Sequence, residues 1–320
     1  MNTEHPSDPG PRTLDPARKN FPDRLTDACL EKGPVCVGLD PVLERLPASL
    51  RASAEDGQAV SAARAIARFC RGVLEAVAPQ VGCVKIQSAC FERYLWPGVE
   101  VYYRLIEHAR SLGLIVIADV KRGDIGTSSN HYAAGHLAES DFSDLGSLGG
   151  PDAVTLSPYL GADALEPFIQ TAATHHKGLF VLVRTSNPGS DSLQRLPLAD
   201  GRTVAQAFGD EMARLGSADH LVGSSGYSLL GAVVGATKSH EMAELRARMG
   251  QQIFLVPGFG AQGGSAADVK AAFKSDGSGA MITASRSVVY AFEQSADDWQ
   301  TAVANAARKM GREIRSTLES

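Results

Sequence analysis

The stretch IVIADVKRGDIGTSS, residues 115–129, opens as a buried strand and runs directly into Asp119, Lys121 and Asp124. An unbroken β-branched run that ends in charge is how a parallel strand reads when both its faces are covered and its end carries chemistry. Working outward, short apolar runs of the same kind recur at Val35–Leu39, Val81–Gln87, Leu114–Asp119, Ala153–Leu156, Leu179–Arg184, Gly231–Gly235, Ile253–Pro257 and Ala280–Ala284. Between them lie stretches of helical period. The clearest is Gly57–Ala78, where Val60, Ala63, Ala67, Cys70, Leu74 and Val77 form an apolar stripe opposite Arg64, Arg68, Arg71 and Glu75. The last stretch repeats the pattern through Trp299, Val303, Ala306, Met310, Ile314 and Leu318.

Eight strands each followed by a helix predict a (β/α)₈ TIM barrel, an α/β fold. An open doubly wound sheet is the competitor, but the polar and glycine-rich signals fall after the strands, and only a barrel gathers all those ends at one mouth. Two segments resist the pattern. Residues 216–237, GSADHLVGSSGYSLLGAVVGAT, are too glycine-rich to bound a sixth unit, and Thr185–Arg202 is long for a βα loop, which makes it a candidate cover. Residues 1–20 are expected to be a flexible tail, and residues 21–320 one catalytic barrel domain.

Composition narrows the function. In 320 residues, 44% hydrophobic and 21% charged, a net charge of −5 argues against nucleic acid or an anionic membrane as partner. An anionic ligand would be held by a few local cations. The five cysteines (Cys29, Cys36, Cys70, Cys83, Cys90) form no C-x-x-C pair and fit reduced thiols. Residues 1–20 lack the apolar core of a secretory signal, and a cytoplasmic location is expected.

Alternation sets Asp119 and Lys121 on one side of the extended chain. Two carboxylates flanking an ammonium keep it protonated and aimed, which suits proton delivery to a developing carbanion. A purely structural ion-pair cluster is the bland alternative. A metal site is opposed by the lysine itself, which already supplies the positive charge, and no His/Cys ligand spacing supports one. Asp40 ends the first strand and Lys85 lies within or just at the end of the second; each alone reads as a rim residue, and their joint position makes the case. The seventh strand ends in VPGFGAQGG and the eighth is followed by Arg286. In barrels these two loops commonly cradle phosphate, glycine admitting backbone N–H groups and arginine clamping the oxygens. Ser157, in LSPYLG, is a possible hydrogen-bond donor or simply turn chemistry. No Ser-His-Asp order, P-loop or dinucleotide fingerprint occurs, and His175 and His176 read as solvated helix-end residues.

The chain resembles the orotidine 5'-phosphate decarboxylase family, in its longer bacterial form. The resemblance rests on GLDP (38–41), VKIQSACFERYLWPG (84–98), ADVKRGDIG (118–126), TLSPYLG (155–161), VRTSNPGS (183–190), PGFGAQGG (257–264) and SRSVVY (285–290), in that order. It implies conversion of orotidine 5'-monophosphate to uridine 5'-monophosphate and carbon dioxide, the last step of de novo pyrimidine synthesis, with no metal or organic cofactor. Position by position, it implies that Asp40 binds the ribose hydroxyls and that Lys85 joins the charged network. Asp119 would stand against the leaving carboxylate, Lys121 would protonate C6, and Asp124 would reach the partner's site in a homodimer. Ser157 would contact the pyrimidine, Gln262 with Gly263 would bind substrate from a mobile lid, and Arg286 would grip the phosphate. Whether Thr185–Arg202 or Gly258–Ser265 covers the base stays open. Two other readings remain: a magnesium-dependent aldolase or sugar-acid phosphate decarboxylase similar to hexulose-phosphate synthases, and a non-catalytic nucleotide binder. The SPYLG and TSNPGS segments and the PGFGAQGG–SRS pair weigh against the first, and Asp119 against the second, since a binder of an anionic carboxylate gains nothing from it.

Overall fold

The β-branched runs form eight parallel strands: β1 (Val35–Leu39), β2 (Cys83–Gln87), β3 (Ile115–Arg122), β4 (Ala153–Leu156), β5 (Gly178–Arg184), β6 (Leu230–Val234), β7 (Phe254–Pro257) and β8 (Ala280–Ala284). Each pairs with the next in chain order and β8 pairs with β1, closing the barrel. The computed structural model describes residues 19–138, 142, 145, 149–260, 264–294 and 296–319. All but Lys19 and Asn20 of the expected tail therefore lies outside the described residues.

Helix α1 (Phe21–Lys32) precedes β1, and its Phe21 ring meets Phe180 of β5 edge-on at 6.0 Å. Gly178 makes room for this contact, since a side chain there would overlap the Phe21 ring. Phe21 and Leu25 thereby join Phe180, Ile117 and Met281 in the apolar filling of the barrel's interior. The outer layer consists of α2 (Ala59–Val77), α3 (Leu95–Ser111), α4 (Gly126–Leu137), α5 (Ala162–Thr174), α6 (Val204–Leu215), α7 (Ser239–Arg248) and α8 (Trp299–Glu319). The seventh unit departs from the predicted pattern. Among the described residues, only the short helical turns Ala266–Val269 and Lys270–Ala272 lie between β7 and β8.

The α2 stripe is phased differently from the reading of its sequence. Ile66, Phe69 and Val73 are its buried centre with Ala63, Cys70, Leu74 and Val77, whereas Val60 and Ala67 are half-buried. Phe69 explains the phase, because its ring packs on Trp299 of α8 at 5.2 Å and on Tyr290 at 5.7 Å. Burial of such a ring contributes about 1.5–3 kcal/mol, enough to weigh on the rotation of a helix half of whose other apolar residues are alanine. No helix among the described residues is long and apolar enough to cross a membrane.

Candidate active site

Strand parity decides which side chains enter the barrel. Along β2, Cys83, Lys85 and Gln87 share a face, and the β2–β3 register sets Lys85 beside Ile117 and Gln87 beside Asp119. Side chains near the strands' N-terminal ends are apolar, and the polar ones accumulate toward the C-terminal ends. There a cavity of about 490 Å³ opens, lined by Asp40, Lys85, Gln87, Asp119, Lys121 and Thr155 on one side of the barrel. Residues of β5 to β8 and of the loops after β5, β7 and β8 line the rest, Arg286 among them.

Asp119 is the hub. Lys85 Nζ reaches up to its Oδ2 at 2.6 Å and Lys121 Nζ meets its Oδ1 at 2.6 Å. Gln87 Nε2 donates to Oδ2 at 3.0 Å, and the Thr155 hydroxyl donates to Oδ1 at 2.9 Å. Burial raises the pKa of Asp119, but the charges of Lys85 and Lys121 and their hydrogen bonds outweigh it, so the carboxyl is held well below its usual range. For Lys85, burial favours the neutral amine. The carboxylates of Asp119 and Asp40, the latter at 3.9 Å, reverse this and push its pKa above the ordinary value. The site therefore presents a fixed anion between two cations, with Lys121, its side chain 46% exposed, facing the cavity.

Strand β3 continues to Arg122, three residues past the expected end at Asp119, and Lys121 lies in it with φ of 45°. That left-handed conformation costs a non-glycine residue of order 1–3 kcal/mol and persists where the surroundings over-determine it.

Asp40 follows β1, and its loop is tied by Tyr290, whose hydroxyl accepts from Val42 N at 2.7 Å and donates to the Asp40 carbonyl at 3.2 Å. Arg286 is exposed and opens the short helix Arg286–Val289 after β8. Gly38 of β1 lets Ser285, which precedes Arg286, come against the strand, because any Cβ there would overlap Ser285 Oγ.

Of the residues singled out by sequence, Asp40, Lys85, Asp119, Lys121 and Arg286 come together on this cavity. Ser157 does not. It is half-buried, its backbone N–H donates to the Arg122 carbonyl at 2.8 Å, and the serines that line the cavity are Ser186, after β5, and Ser285, after β8. Asp124 is also outside the lining, with Oδ1 accepting the N–H of Ile125 at 2.8 Å. Gln262 and Gly263 lie outside the described residues. His176 bonds to Asn20 at the opposite end of the barrel, Nδ1 to Oδ1 at 2.7 Å.

The reading of the residues did not single out Gln87 or Thr155, and it marked the segment Thr185–Arg202 as a candidate cover without naming Thr185, Ser186, Asn187 and Gln194, which line the cavity. Gln87 was available from parity, two residues beyond Lys85 on the same strand. The loop owes its place to Arg184, fully buried at the end of β5, which donates to Ser190 Oγ at 2.7 Å and Gln194 Oε1 at 3.2 Å. Of the two loops considered as covers, the one after β5 contributes these four residues and the one after β7 contributes Gly258 and Phe259 among the described residues.

The Orotidine 5'-phosphate decarboxylase / HUMPS family model matches residues 33–297. The chain is 45% identical over 305 residues to orotidine 5'-phosphate decarboxylase of Rhodopirellula baltica, covering 92% of this chain and 99% of that protein. It is 38% identical over 272 residues to the Clostridium novyi protein of the same name, covering 85% of this chain and 89% of the other. The solved structure of Leishmania donovani OMP decarboxylase superposes with a TM-score of 0.70 at 28% identity, covering 94% of this chain and 99% of that one. With a family model spanning most of the barrel and near-full-length relatives at this identity, the chain belongs to the orotidine 5'-phosphate decarboxylase family.

Proposed function

We propose that this chain decarboxylates orotidine 5'-monophosphate to uridine 5'-monophosphate and carbon dioxide in pyrimidine biosynthesis, without a cofactor. Loss of carbon dioxide from C6, an sp² carbon, leaves a carbanion with no adjacent electron sink. Stabilisation must then come from charge already in position, and a proton must be delivered at the same point. The observation that carries the reading is the Lys85–Asp119–Lys121 chain at the cavity end, with both lysine–carboxylate contacts at 2.6 Å. Lys121 is then the proton donor to C6, and Asp119 both aims it and stands against the departing carboxylate. A chain of fixed charges needs little reorganisation as the carbanion forms.

The remaining roles follow the cavity's outline. Asp40, beside Lys85, binds the ribose hydroxyls, and Arg286 grips the phosphate, so that binding energy from the far end of the substrate drives closure over the reacting carbon. Gln262 and Gly263, which follow β7 in sequence, bind the substrate. For the pyrimidine, Ser186 is favoured over Ser157, because it lines the cavity. Asp124 serves the neighbouring subunit of a cytosolic homodimer. Exposed apolar side chains beside it and after β4, Ile125 at 58% and Tyr159 at 73%, support a covered surface there.

The test is to follow orotidine 5'-monophosphate absorbance with purified protein, with and without EDTA. Turnover unaffected by chelation is expected. Loss of activity on chelation would instead favour the magnesium-dependent sugar-phosphate enzymes of the same barrel type.

A further inference from the structure

The β3–β4 ladder is interrupted where the chemistry sits. Ala118 pairs with Val154 and Arg122 with Leu156, so Asp119, Val120 and Lys121 of β3 stand opposite Thr155 alone. Excess residues on one strand bulge out of the ladder, and their backbone groups need other partners. The Thr155 side chain supplies one. Its Oγ1 accepts the Lys121 N–H at 3.0 Å and its hydroxyl donates to Asp119 Oδ1 at 2.9 Å, and the residue is 1% exposed. One hydroxyl thus holds the backbone of Lys121 in its left-handed conformation and, at the same time, the carboxylate oxygen that Lys121 contacts.

We propose that Thr155 is a positioning residue for the decarboxylation: its hydroxyl replaces the missing ladder bond and fixes Lys121 Nζ and Asp119 as one unit aimed at the reacting carbon. The inference rests on the proposed decarboxylase reading. Its chemical logic is specific to a hydroxyl at this position. A serine supplies the same donor and acceptor, whereas valine keeps the shape and supplies neither. Without the hydroxyl, the Lys121 amide loses its partner, Asp119 Oδ1 keeps only the lysine, and the bulge is free to relax away from φ of 45°. Displacing a reacting group in this way reduces the rate more than binding.

The experiment compares wild type, Thr155→Val and Thr155→Ser on orotidine 5'-monophosphate, with calorimetric binding of uridine 5'-monophosphate and exchange of its C6 hydrogen in D₂O. Exchange runs the protonation step backward, moving the C6 proton to Lys121 Nζ and returning deuterium from the equilibrated amine. Thr155→Val should lower kcat and the exchange rate by about 10- to 100-fold, the worth of a hydrogen bond to a charged group, while KM and nucleotide affinity stay within about threefold. Thr155→Ser should restore most of both rates. Wild-type kcat in Thr155→Val, or equal losses in affinity and rate, would overturn the inference. If Thr155→Val does not fold, Thr155→Ser against Thr155→Ala makes the same comparison, and equal rates in those two overturn it. Failure of the wild type to turn over orotidine 5'-monophosphate would refute the decarboxylase reading instead, so the two failures are distinct.

Discussion

Arg184 at the end of β5 and Glu241 in α7 meet in a two-point ion pair, Nε to Oε2 at 2.7 Å and Nη2 to Oε1 at 3.1 Å. The same guanidinium holds Asp191, which Lys238 also contacts at 2.7 Å. The loop that lines the cavity after β5 is therefore anchored by a charge buried behind it, and the site's shape depends on a residue that does not line it.

Arg184→Met should destabilise the fold and loosen that loop. Removing one partner of a buried ion pair costs about 3–5 kcal/mol, and the lower end applies here because Glu241 and Asp191 keep some contact with water and Asp191 keeps Lys238. Chemical denaturation should show the loss, and KM for the nucleotide should rise. An unchanged denaturation midpoint would mean that the loop holds itself.

The charge chain also sets a pH dependence of stability. The folded pKa of Asp119 is lowered by Lys85 and Lys121 against the opposing effect of burial, and its unfolded value is about 3.9. Its stabilisation is therefore present above about pH 4 and is lost as pH falls toward the folded pKa. Lys85 behaves oppositely: its pKa is raised on folding, so its contribution is present below about pH 10.4 and lost as pH climbs through the folded value. Asp119→Asn should be less stable than wild type near neutrality, and the gap should narrow as urea midpoints are followed from pH 7 to pH 3. A gap that does not change with pH would show that the carboxylate's charge contributes nothing.

Arg286→Ala should mainly weaken use of the phosphate, raising KM and also lowering kcat if closure depends on that contact. The discriminating substrate is orotidine without its phosphate, on which wild type and variant should differ far less. An equal loss on both substrates would assign Arg286 a structural role.

Strand count and the charged strand ends were legible because parallel strands buried on both faces must be apolar runs, and charge at their ends has to be explained. What was hidden depends on register. Nothing local to ADVKRG announces that three residues face one across β4, so the role of Thr155 could be seen only once β3 and β4 were paired. The sequence points to Ser157 in its strand-end turn, whereas the cavity lining includes Ser186, because which turn leans over a barrel mouth is set by ties such as that of Arg184 to Glu241 in α7. The phase of α2 was misjudged for the same reason, since Trp299, more than two hundred residues away, decides which ring is covered.

The subunit boundary gives the sharpest test of the site. Asp124 stands outside the cavity of its own chain, with its carboxylate bonded to the Ile125 N–H, while Asp119 and Lys121 line it. If Asp124 completes the neighbour's site, Lys121→Ala chains and Asp124→Ala chains should each be nearly inactive alone. A mixed dimer then contains one site with Lys121 from one chain and Asp124 from the other, both intact, and a second site lacking both. Reassembled at random, half of the dimers are mixed and each has one good site of two, so roughly a quarter of wild-type activity should return. Subunit exchange can be followed independently with differently tagged chains. If the tags exchange and no activity returns, Asp124 acts within its own chain or serves only structure, and the exposed Ile125 and Tyr159 give no support to a shared site.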